Sequence, residues 1–236
     1  MHMIELDYKE YKNILIVAPH ADDEVLGCGG ILLKCGSKTD VLLLTDGRYG
    51  FSPSKKAYEP EIIDIRKKEF DSVMSAVGAR KTICMNIPDR EVLQNKKKIY
   101  EFNIQNYDAV FVPNKYDAHR DHQAAYRIFK TMKRKQRSKA DFFQYEVWTP
   151  IREPLYYMDI SECFKDISSL LLEYKSQIEA RDYLRLAEGL SMYRGAICKV
   201  PHAMVYTRHL PGGIMRKLGS LLPNAIKEKA KRFFHI

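Results

Sequence analysis

The stretch NILIVAPHADDEVLGCGG, residues 13–30, decides the fold and concentrates titratable side chains in one turn. Residues 13–18 are mostly aliphatic and predict a buried strand, which Pro19 ends. His20, Asp22 and Asp23 follow in the turn, and residues 24–35 then show the apolar spacing of a helix. Because open α/β sheets bind ligands beyond the carboxyl ends of their strands, this turn is the first candidate for a functional site.

Apolar runs and amphipathic segments continue to alternate along the chain. Further strands are predicted at residues 40–45, 82–87, 109–112, 141–148, 155–160 and 203–206, and helices at residues 61–77, 91–107, 122–132 and 167–190, the last broken near residues 174–177. Residues 1–12 are polar and show no clear period, which predicts an irregular lead-in segment before the first strand. Near-continuous aliphatic strands joined through helices are typical of parallel βαβ units with right-handed crossovers. The predicted fold class is therefore α/β, a three-layer α/β/α sandwich with a mostly parallel, Rossmann-like sheet.

The composition predicts a globular, cytoplasmic protein. Of the 236 residues 45% are hydrophobic, and no apolar run approaches the roughly 20 residues of a membrane-spanning helix. The N-terminus lacks the basic start and apolar core of a signal peptide. Five scattered cysteines without a Cys-x-x-Cys pair predict free thiols in a reducing compartment.

The net charge of +9 is concentrated near the C-terminus. Residues 212–236 contain six basic side chains and one acidic side chain, so they supply +5 of the total. Apolar side chains alternate with the basic ones, which predicts either contact with a membrane surface or packing on the body of the protein. The predicted organisation is one domain over residues 1–211 and a basic amphipathic tail over residues 212–236.

A second polar cluster, AHRDH at residues 118–122, follows the strand predicted at residues 109–112. The carboxyl ends of parallel strands meet at one edge of a sheet, so the side chains that follow the first four strands should share one crevice. These side chains are His20, Asp22, Asp23, Asp46, Asp89, His119, Asp121 and His122.

Imidazoles and carboxylates at this edge predict a catalytic zinc site. His20 and Asp23 can approach one point across the turn, and either His119 or His122 can complete a set of three ligands. Asp22 can then face the attacking water as general base. An isolated Asp-Asp pair more often caps a helix, but two His/Asp clusters at one edge are harder to explain in this way.

The glycines at positions 27, 29 and 30 do not form a dinucleotide-binding fingerprint. Leu32 occupies the position of the required third glycine, and the glycines begin seven residues after His20 instead of at the strand end. They predict a close approach of the first helix to the sheet.

Residues 19–24, PHADDE, and residues 119–122, HRDH, resemble the signature motifs of the zinc N-deacetylases of the PIG-L/LmbE-like superfamily. The resemblance extends through TDG at residues 45–47, Arg66-x-x-Glu69 and YKSQ at residues 174–177. It covers roughly residues 13–206, with Ala21 and Arg120 in place of frequent prolines. The resemblance implies a hydrolase that removes the acetyl group from an N-acetyl amino-sugar (GlcNAc-type) conjugate in glycan, glycolipid or glycoside biosynthesis.

The resemblance also implies roles for the residues at the strand ends. One zinc ion per chain would be bound by His20, Asp23 and His122. Asp22 would act as the general base.

Four further residues receive roles from the same resemblance. His119 would stabilise the oxyanion or protonate the leaving amine, and Asp121 would orient His119. Arg66 and Asp89 would bind sugar hydroxyls, although an ion pair of Arg66 with Glu69 on a helix surface fits the spacing equally well.

The expected partner is an N-acetylated sugar conjugate, lipid-linked if residues 212–236 provide peripheral membrane contact. No nucleic acid is expected, and the sequence does not define the sugar, the aglycone or the oligomeric state. Two alternatives stay open: a zinc hydrolase of another amide or an ester, and a protein that binds nucleic acid or an anionic surface and retains a vestigial metal site. Vesicle sedimentation with and without residues 214–236 tests the membrane contact.

Overall fold

The structure is a computed structural model that describes residues 3–50, 61–179 and 181–208. The strands are β1 (Ile4–Glu5), β2 (Ile14–Ala18), β3 (Thr39–Thr45), β4 (Lys81–Ile87), β5 (Ala109–Pro113), β6 (Asp141–Tyr145), β7 (Tyr156–Asp159) and β8 (Ala203–Arg208). The helices are α1 (Asp23–Cys35), α2 (Glu61–Ala76), α3 (Lys96–Tyr100), α4 (Arg120–Lys135), α5 (Phe164–Leu172), α6 (Lys175–Ile178) and α7 (Tyr183–Cys198). The predicted tail, residues 212–236, lies outside the described residues.

The strands form one sheet in the order β1-β7-β8-β6-β5-β2-β3-β4. Strands β6, β5, β2, β3 and β4 pair in parallel with one another, as does β1 with β7, whereas β8 runs antiparallel to both β6 and β7. The prediction of a mostly parallel sheet is confirmed. Because β2, β3, β4 and β5 are all parallel, their carboxyl ends lie at the same edge.

Both faces of the central strands are buried. In β2, Ile14 and Ile16 pack in a core that includes side chains of α1, α2 and α5. Leu15 and Val17 point to the opposite face and pack in a second core with α3 and α4. Side chains of β2 alternate between the two faces of the sheet, and both faces are covered by apolar side chains, which explains why the strand is a continuous aliphatic run. It also confirms the three-layer arrangement.

The glycines of α1 allow the close approach that the sequence predicts. A Cβ atom on Gly27 would lie 2.0 Å from Cδ2 of Tyr145, and one on Gly30 would lie 2.7 Å from Cγ2 of Ile160. Helix α1 therefore packs directly on the side chains of β6 and of the segment after β7.

We expect Gly27→Ala to lower the free energy of unfolding by about 1–3 kcal/mol, because the Tyr145 ring is fully buried and would have to move. The matched control is Gly189→Ala in α7, where a Cβ atom meets nothing within 4 Å. There alanine should stabilise the protein by about 0.5–1 kcal/mol. Urea denaturation measures both changes, and equal effects of the two substitutions would contradict this packing.

The helix predicted at residues 91–107 is wrong in extent, because only α3 is helical there. Side chains of α4 and of the residue after it, Gln136, bond the backbone on either side of α3. The Asp121 carboxylate accepts hydrogen bonds from the backbone N–H groups of Arg90 and Val92, and Gln136 Oε1 accepts one from Ile104 at 2.8 Å. These tertiary hydrogen bonds replace helical ones and hold the segment in turns.

Other boundaries also differ from the predictions. Strand β6 ends at Tyr145 instead of residue 148. The region predicted as a broken helix at residues 167–190 contains most of α5, all of α6 and the first half of α7, which continues to Cys198. The lead-in contains the short edge strand β1. All five cysteines are unpaired, as predicted. Among the described residues, no helix has the length and apolar character that crossing a membrane requires.

Candidate active site

The predicted polar residues gather beyond the carboxyl ends of β2, β4 and β5. His20 is the centre of the group and lies within 3.5 Å of Asp23, Asp89, Asp121 and His122. Asp46, at the end of β3, contributes indirectly because its Oδ1 atom accepts a hydrogen bond from the backbone of Asp89 at 3.2 Å.

The turn after β2 has a rare backbone conformation. The carbonyl oxygen of Pro19 accepts hydrogen bonds from the N–H and the hydroxyl of Thr45, at 3.0 and 2.8 Å. Asp22 then adopts φ 125° and ψ −30°, a region that residues with a side chain rarely enter. Such strain costs on the order of 1–3 kcal/mol and is typical of functional sites. The presence of an aspartate where glycine would be less strained indicates a function for its side chain.

Three possible ligand atoms form a compact triangle. The distances are 3.2 Å from His20 Nδ1 to Asp23 Oδ2, 3.0 Å from Asp23 Oδ2 to His122 Nε2, and 3.3 Å from His122 Nε2 to His20 Nδ1. A tetrahedral zinc ion with bonds of about 2.0–2.1 Å needs ligand atoms roughly 3.3 Å apart. The three residues at positions 20, 23 and 122 therefore fit one metal ion.

The second nitrogen of each of these histidines faces a carboxylate. His20 Nε2 lies 3.0 Å from Asp89 Oδ1 and 3.5 Å from Asp121 Oδ2. His122 Nδ1 lies 3.2 Å from Asp117 Oδ1, in ion-pair range but at an angle poor for a hydrogen bond. Carboxylates behind ligating histidines fix their tautomer and their orientation. This pattern leaves His20 Nδ1 and His122 Nε2 available to a metal.

The charge around the triangle also fits a cation. Among the described residues, five buried aspartates lie in or around it, at positions 22, 23, 89, 117 and 121, and the buried Arg66 lies 3.5 Å from one of them, Asp22. Burial lowers the pKa of His122, but the Asp23 and Asp117 carboxylates outweigh it and raise that pKa to about 9. Burial opposes protonation of His20 as well, yet its hydrogen bonds to Asp121, Asp23 and Asp89 raise its pKa well above the ordinary value.

Two other groups of three possible ligand atoms lie within 4.8 Å of one another. One consists of His20, His119 and His122, and the other of His20, Asp89 and Asp121. In the triangle that contains Asp23 the ligand atoms lie at most 3.3 Å apart, and all three residues are buried, whereas His119 is partly exposed. We therefore favour His20, Asp23 and His122 as the ligand set.

Asp22 lies between two members of this set without belonging to the triangle. Its Oδ2 atom is 3.5 Å from Arg66 Nη2, and the residue is 4% exposed. Burial raises the pKa of Asp22 to about 7, against the opposing attraction of Arg66. A carboxyl group with this pKa can accept and return a proton near neutral pH.

His119 is the N-cap of α4, and its Nδ1 atom accepts a hydrogen bond from the backbone N–H of Asp121 at 3.2 Å. This bond assigns the ring proton to Nε2, so the neutral ring is a donor. Burial and the neighbouring His20 and His122 lower the pKa of His119. The Asp121 carboxylate bonds the backbone at Arg90 and faces His20, so the contact of Asp121 with the His119 ring is made by its backbone N–H.

Arg66 contacts the protein instead of projecting into a binding crevice. It is 4% exposed, and its guanidinium donates to the carbonyl oxygens of Ala21 at 2.8 Å and Gly47 at 3.3 Å. Glu69, three residues later on α2, accepts hydrogen bonds from Ser176. The alternative of a surface ion pair between Arg66 and Glu69 is therefore wrong.

Asp117 is a site residue that the sequence interpretation missed. It is fully buried, faces His122 through Oδ1, and accepts hydrogen bonds from the backbone of Trp148 and Thr149 through Oδ2. Its position in the loop between β5 and α4, two residues before His119, was the available signal.

An aromatic pair is connected to the site through the backbone of Trp148. Trp148, whose backbone is bonded to Asp117, contacts Tyr183 with ring centroids 5.7 Å apart. Burial, and after it the charges of Asp22 and Asp23, raise the pKa of Tyr183. The guanidinium of Arg181 lies 4.8 Å from the centre of the Trp148 ring.

Solved structures share this fold. N,N'-diacetylchitobiose deacetylase from Pyrococcus horikoshii is 21% identical over 86% of this chain and 85% of that chain, with a TM-score of 0.71. The conserved protein TT1542 from Thermus thermophilus is 26% identical over 84% and 95% of the two chains, with a TM-score of 0.68. A 4-carboxy-2-hydroxymuconate hydratase from Pseudomonas putida, 15% identical over 85% and 97%, has a TM-score of 0.63. The fold thus occurs in proteins with different reactions, and fold alone does not assign one.

A family model is more specific. The model described as PIG-L, GlcNAc-PI de-N-acetylase, matches residues 15–133, half of the chain. The matched segment runs from β2 to α4 and contains all the residues of the triangle. The chain therefore belongs to the PIG-L family of N-deacetylase hydrolases.

Proposed function

We propose that this protein is a zinc-dependent N-deacetylase that removes the acetyl group from an N-acetyl amino-sugar conjugate. The observation that carries the proposal is the triangle of His20, Asp23 and His122 with the carboxylate of Asp22 beside it. Family membership supports the class of reaction.

The donor set favours zinc. Two imidazole nitrogens and one carboxylate oxygen are a set that zinc accepts in catalytic sites, where a further position stays open. When bound there, the ion would act as a Lewis acid toward the acetamide carbonyl and the attacking water.

The chain's own residues supply the proton transfers. Asp22 accepts a proton from the attacking water and, once protonated, gives it to the leaving nitrogen, since an amine leaves poorly without a proton. The Nε2–H group of His119 donates a hydrogen bond to the carbonyl oxygen as negative charge develops on it. A neutral His119 suits this role, because its Nε2 atom carries a proton while Nδ1 accepts the hydrogen bond from Asp121.

The surroundings of the site support a sugar as substrate. Flat aromatic surfaces such as Trp148, with a cation nearby in Arg181, suit a ring that carries hydroxyl groups. Asp89 is 6% exposed and contacts His20, so it can bind a sugar hydroxyl only with its remaining acceptor capacity. If Arg66 binds a sugar hydroxyl, its buried guanidinium must do so while it also donates a hydrogen bond to the carbonyl oxygen of Ala21.

Acetate release from a panel of N-acetyl sugars, sugar nucleotides and glycolipids tests the function. The purified protein is assayed as prepared, after chelation, and after zinc is restored. We expect release from at least one N-acetylglucosamine derivative, loss on chelation, and recovery with zinc. Release from simple esters or non-sugar amides alone would favour the alternative hydrolase, and no hydrolysis of any substrate would reject the proposal.

Trp148→Ala is expected to raise KM about 5- to 10-fold with less than a twofold change in kcat, because one stacking contact contributes about 1 kcal/mol and lies away from the reacting atoms. Tyr100→Ala is the control. Tyr100 also contacts a cation, the side chain of Lys135. Lys135 is the last residue of α4 and lies roughly 20 Å along that helix from its first turn, which is at the site. An equal rise of KM in both variants would contradict a substrate contact at Trp148.

A further inference from the structure

We propose that Tyr174 and Glu24 are positioning residues that hold the backbone of Asp22 in the conformation its carboxylate needs to act as a base. This inference rests on the proposed function of Asp22. It assigns a role to the YKSQ segment, residues 174–177, which neither the metal set nor the proton transfers use.

Glu24 connects the two residues with both of its carboxylate oxygens. Its Oε2 atom accepts a hydrogen bond from the backbone N–H of Asp22 at 3.2 Å, and its Oε1 atom accepts one from the hydroxyl of Tyr174. Glu24 is 0% exposed and Tyr174 is 1% exposed. Water therefore cannot replace either partner, and the loss of one leaves a buried polar group unsatisfied.

Tyr174 and Glu24 are far apart in sequence. Tyr174 lies between α5 and α6, and it meets a residue 150 positions earlier. Local sequence does not require this contact, and the apolar core alone would accept phenylalanine at position 174. A hydroxyl that reaches the carboxylate beside the proposed base indicates a role beyond packing.

The same segment also supports Asp22 from a second side. The N–H and hydroxyl of Ser176 donate to the Glu69 carboxylate at 2.8 and 2.7 Å. Glu69 lies on α2 three residues after Arg66, whose guanidinium bonds Ala21 and lies 3.5 Å from the Asp22 carboxylate. Residues 174–176 thus fix Glu24 directly and fix the helix that carries Arg66.

Strain explains why such support is needed. At φ 125°, Asp22 would relax to a more common conformation if its neighbours did not hold it. The N–H of Asp22 is one of the groups that would turn in such a relaxation, and Glu24 is its acceptor. A shift of about 1 Å in a reacting group can cost on the order of 100-fold in rate.

The test uses the full-length, zinc-loaded protein and two conservative variants, Tyr174→Phe and Glu24→Gln. We expect each to lower kcat about 10- to 100-fold, with KM within about threefold of wild type and zinc content unchanged. Tyr107→Phe is the matched control, because Tyr107 donates a similar hydrogen bond to Asp40 at 2.8 Å. Asp40 lies on β3 toward the amino end of the strands, away from the site. A purely structural role would lower the melting temperature in all three variants and leave kcat of the folded enzyme unchanged.

The double variant Glu24→Gln/Tyr174→Phe tests whether the two residues act together. If Tyr174 acts through Glu24, the effects on kcat should be strongly non-additive, and the double variant should resemble Glu24→Gln alone. If the two single effects on kcat multiply in the double variant, the connection between the two residues is overturned. A wild-type kcat in Tyr174→Phe would overturn the proposal.

Amide hydrogen exchange provides a readout that does not depend on catalysis. The N–H of Asp22 should exchange at least about tenfold faster in Tyr174→Phe than in wild type or Tyr107→Phe, because its acceptor is less well fixed. Unchanged exchange would reject the positioning role even if the enzyme is active. Conversely, the wild-type protein could release no acetate while the Asp22 N–H still exchanges faster in Tyr174→Phe. That result would reject the proposed function and retain the role of Tyr174 in holding the Asp22 backbone.

Discussion

Asp22→Asn is expected to lower kcat for deacetylation about 10²- to 10⁴-fold, the range that a general base contributes, while zinc content stays at the wild-type level. Asparagine has nearly the same shape but cannot accept the proton from water. The ligand atoms of His20, Asp23 and His122 do not include Asp22, so metal binding should persist. Steady-state kinetics and elemental analysis of the same protein preparation measure both quantities.

Stability separates this effect from unfolding. Asparagine tolerates positive φ better than most residues, and the substitution removes a buried carboxylate, so the melting temperature should not fall. The control is Asp40→Asn, a buried aspartate that bonds Arg80 and Tyr107 away from the site. It should lose stability with little change in kcat. A full wild-type kcat in Asp22→Asn would assign the base to another residue.

Much of the fold and the site could be predicted because local sequence determines them. Strand β2 is aliphatic on both faces, which only a doubly covered sheet requires, and parallel strands bring their carboxyl ends to one edge. The two His/Asp motifs follow such strands, so their proximity is a consequence of topology. Gly27 likewise predicts close helix packing, although the sequence does not identify Tyr145 as the neighbour.

The remaining features depend on tertiary contacts that no local pattern contains. The segment at residues 91–107 has helical spacing, but hydrogen bonds from Asp121 and Gln136 hold it in turns. Arg66 has the spacing of a surface residue, yet its guanidinium is buried against Ala21. The role of Asp117 depends on the position of its carboxylate behind His122, which local sequence does not determine. In each case, side chains distant in sequence satisfy buried polar groups, and sequence periodicity does not describe those pairings.

Asp23→Asn should weaken zinc binding by about 10²- to 10³-fold, since three or four ligands together supply roughly 10–16 kcal/mol in strong sites. The Asp23 Oδ2 atom lies 3.2 Å from His20 Nδ1 and 3.0 Å from His122 Nε2, so it is the anionic member of the set. The asparagine oxygen can still accept the hydrogen bond from the backbone N–H of His20, which preserves the turn. Competition with a chelator of known affinity measures the dissociation constant.

Two further variants decide which of the possible ligand groups binds the metal. Asp117→Asn keeps the ligands but weakens the support behind His122, and it should reduce affinity by about 10- to 100-fold. His119→Ala should leave affinity nearly unchanged while lowering kcat, because its Nδ1 atom is bonded to the backbone of Asp121 and its Nε2–H serves as a donor. If His119→Ala instead removes the metal and Asp23→Asn retains it, the three histidines are the ligands. The order of affinities, wild type and His119→Ala above Asp117→Asn above Asp23→Asn, is therefore the signature of a site with Asp23 as its anionic ligand.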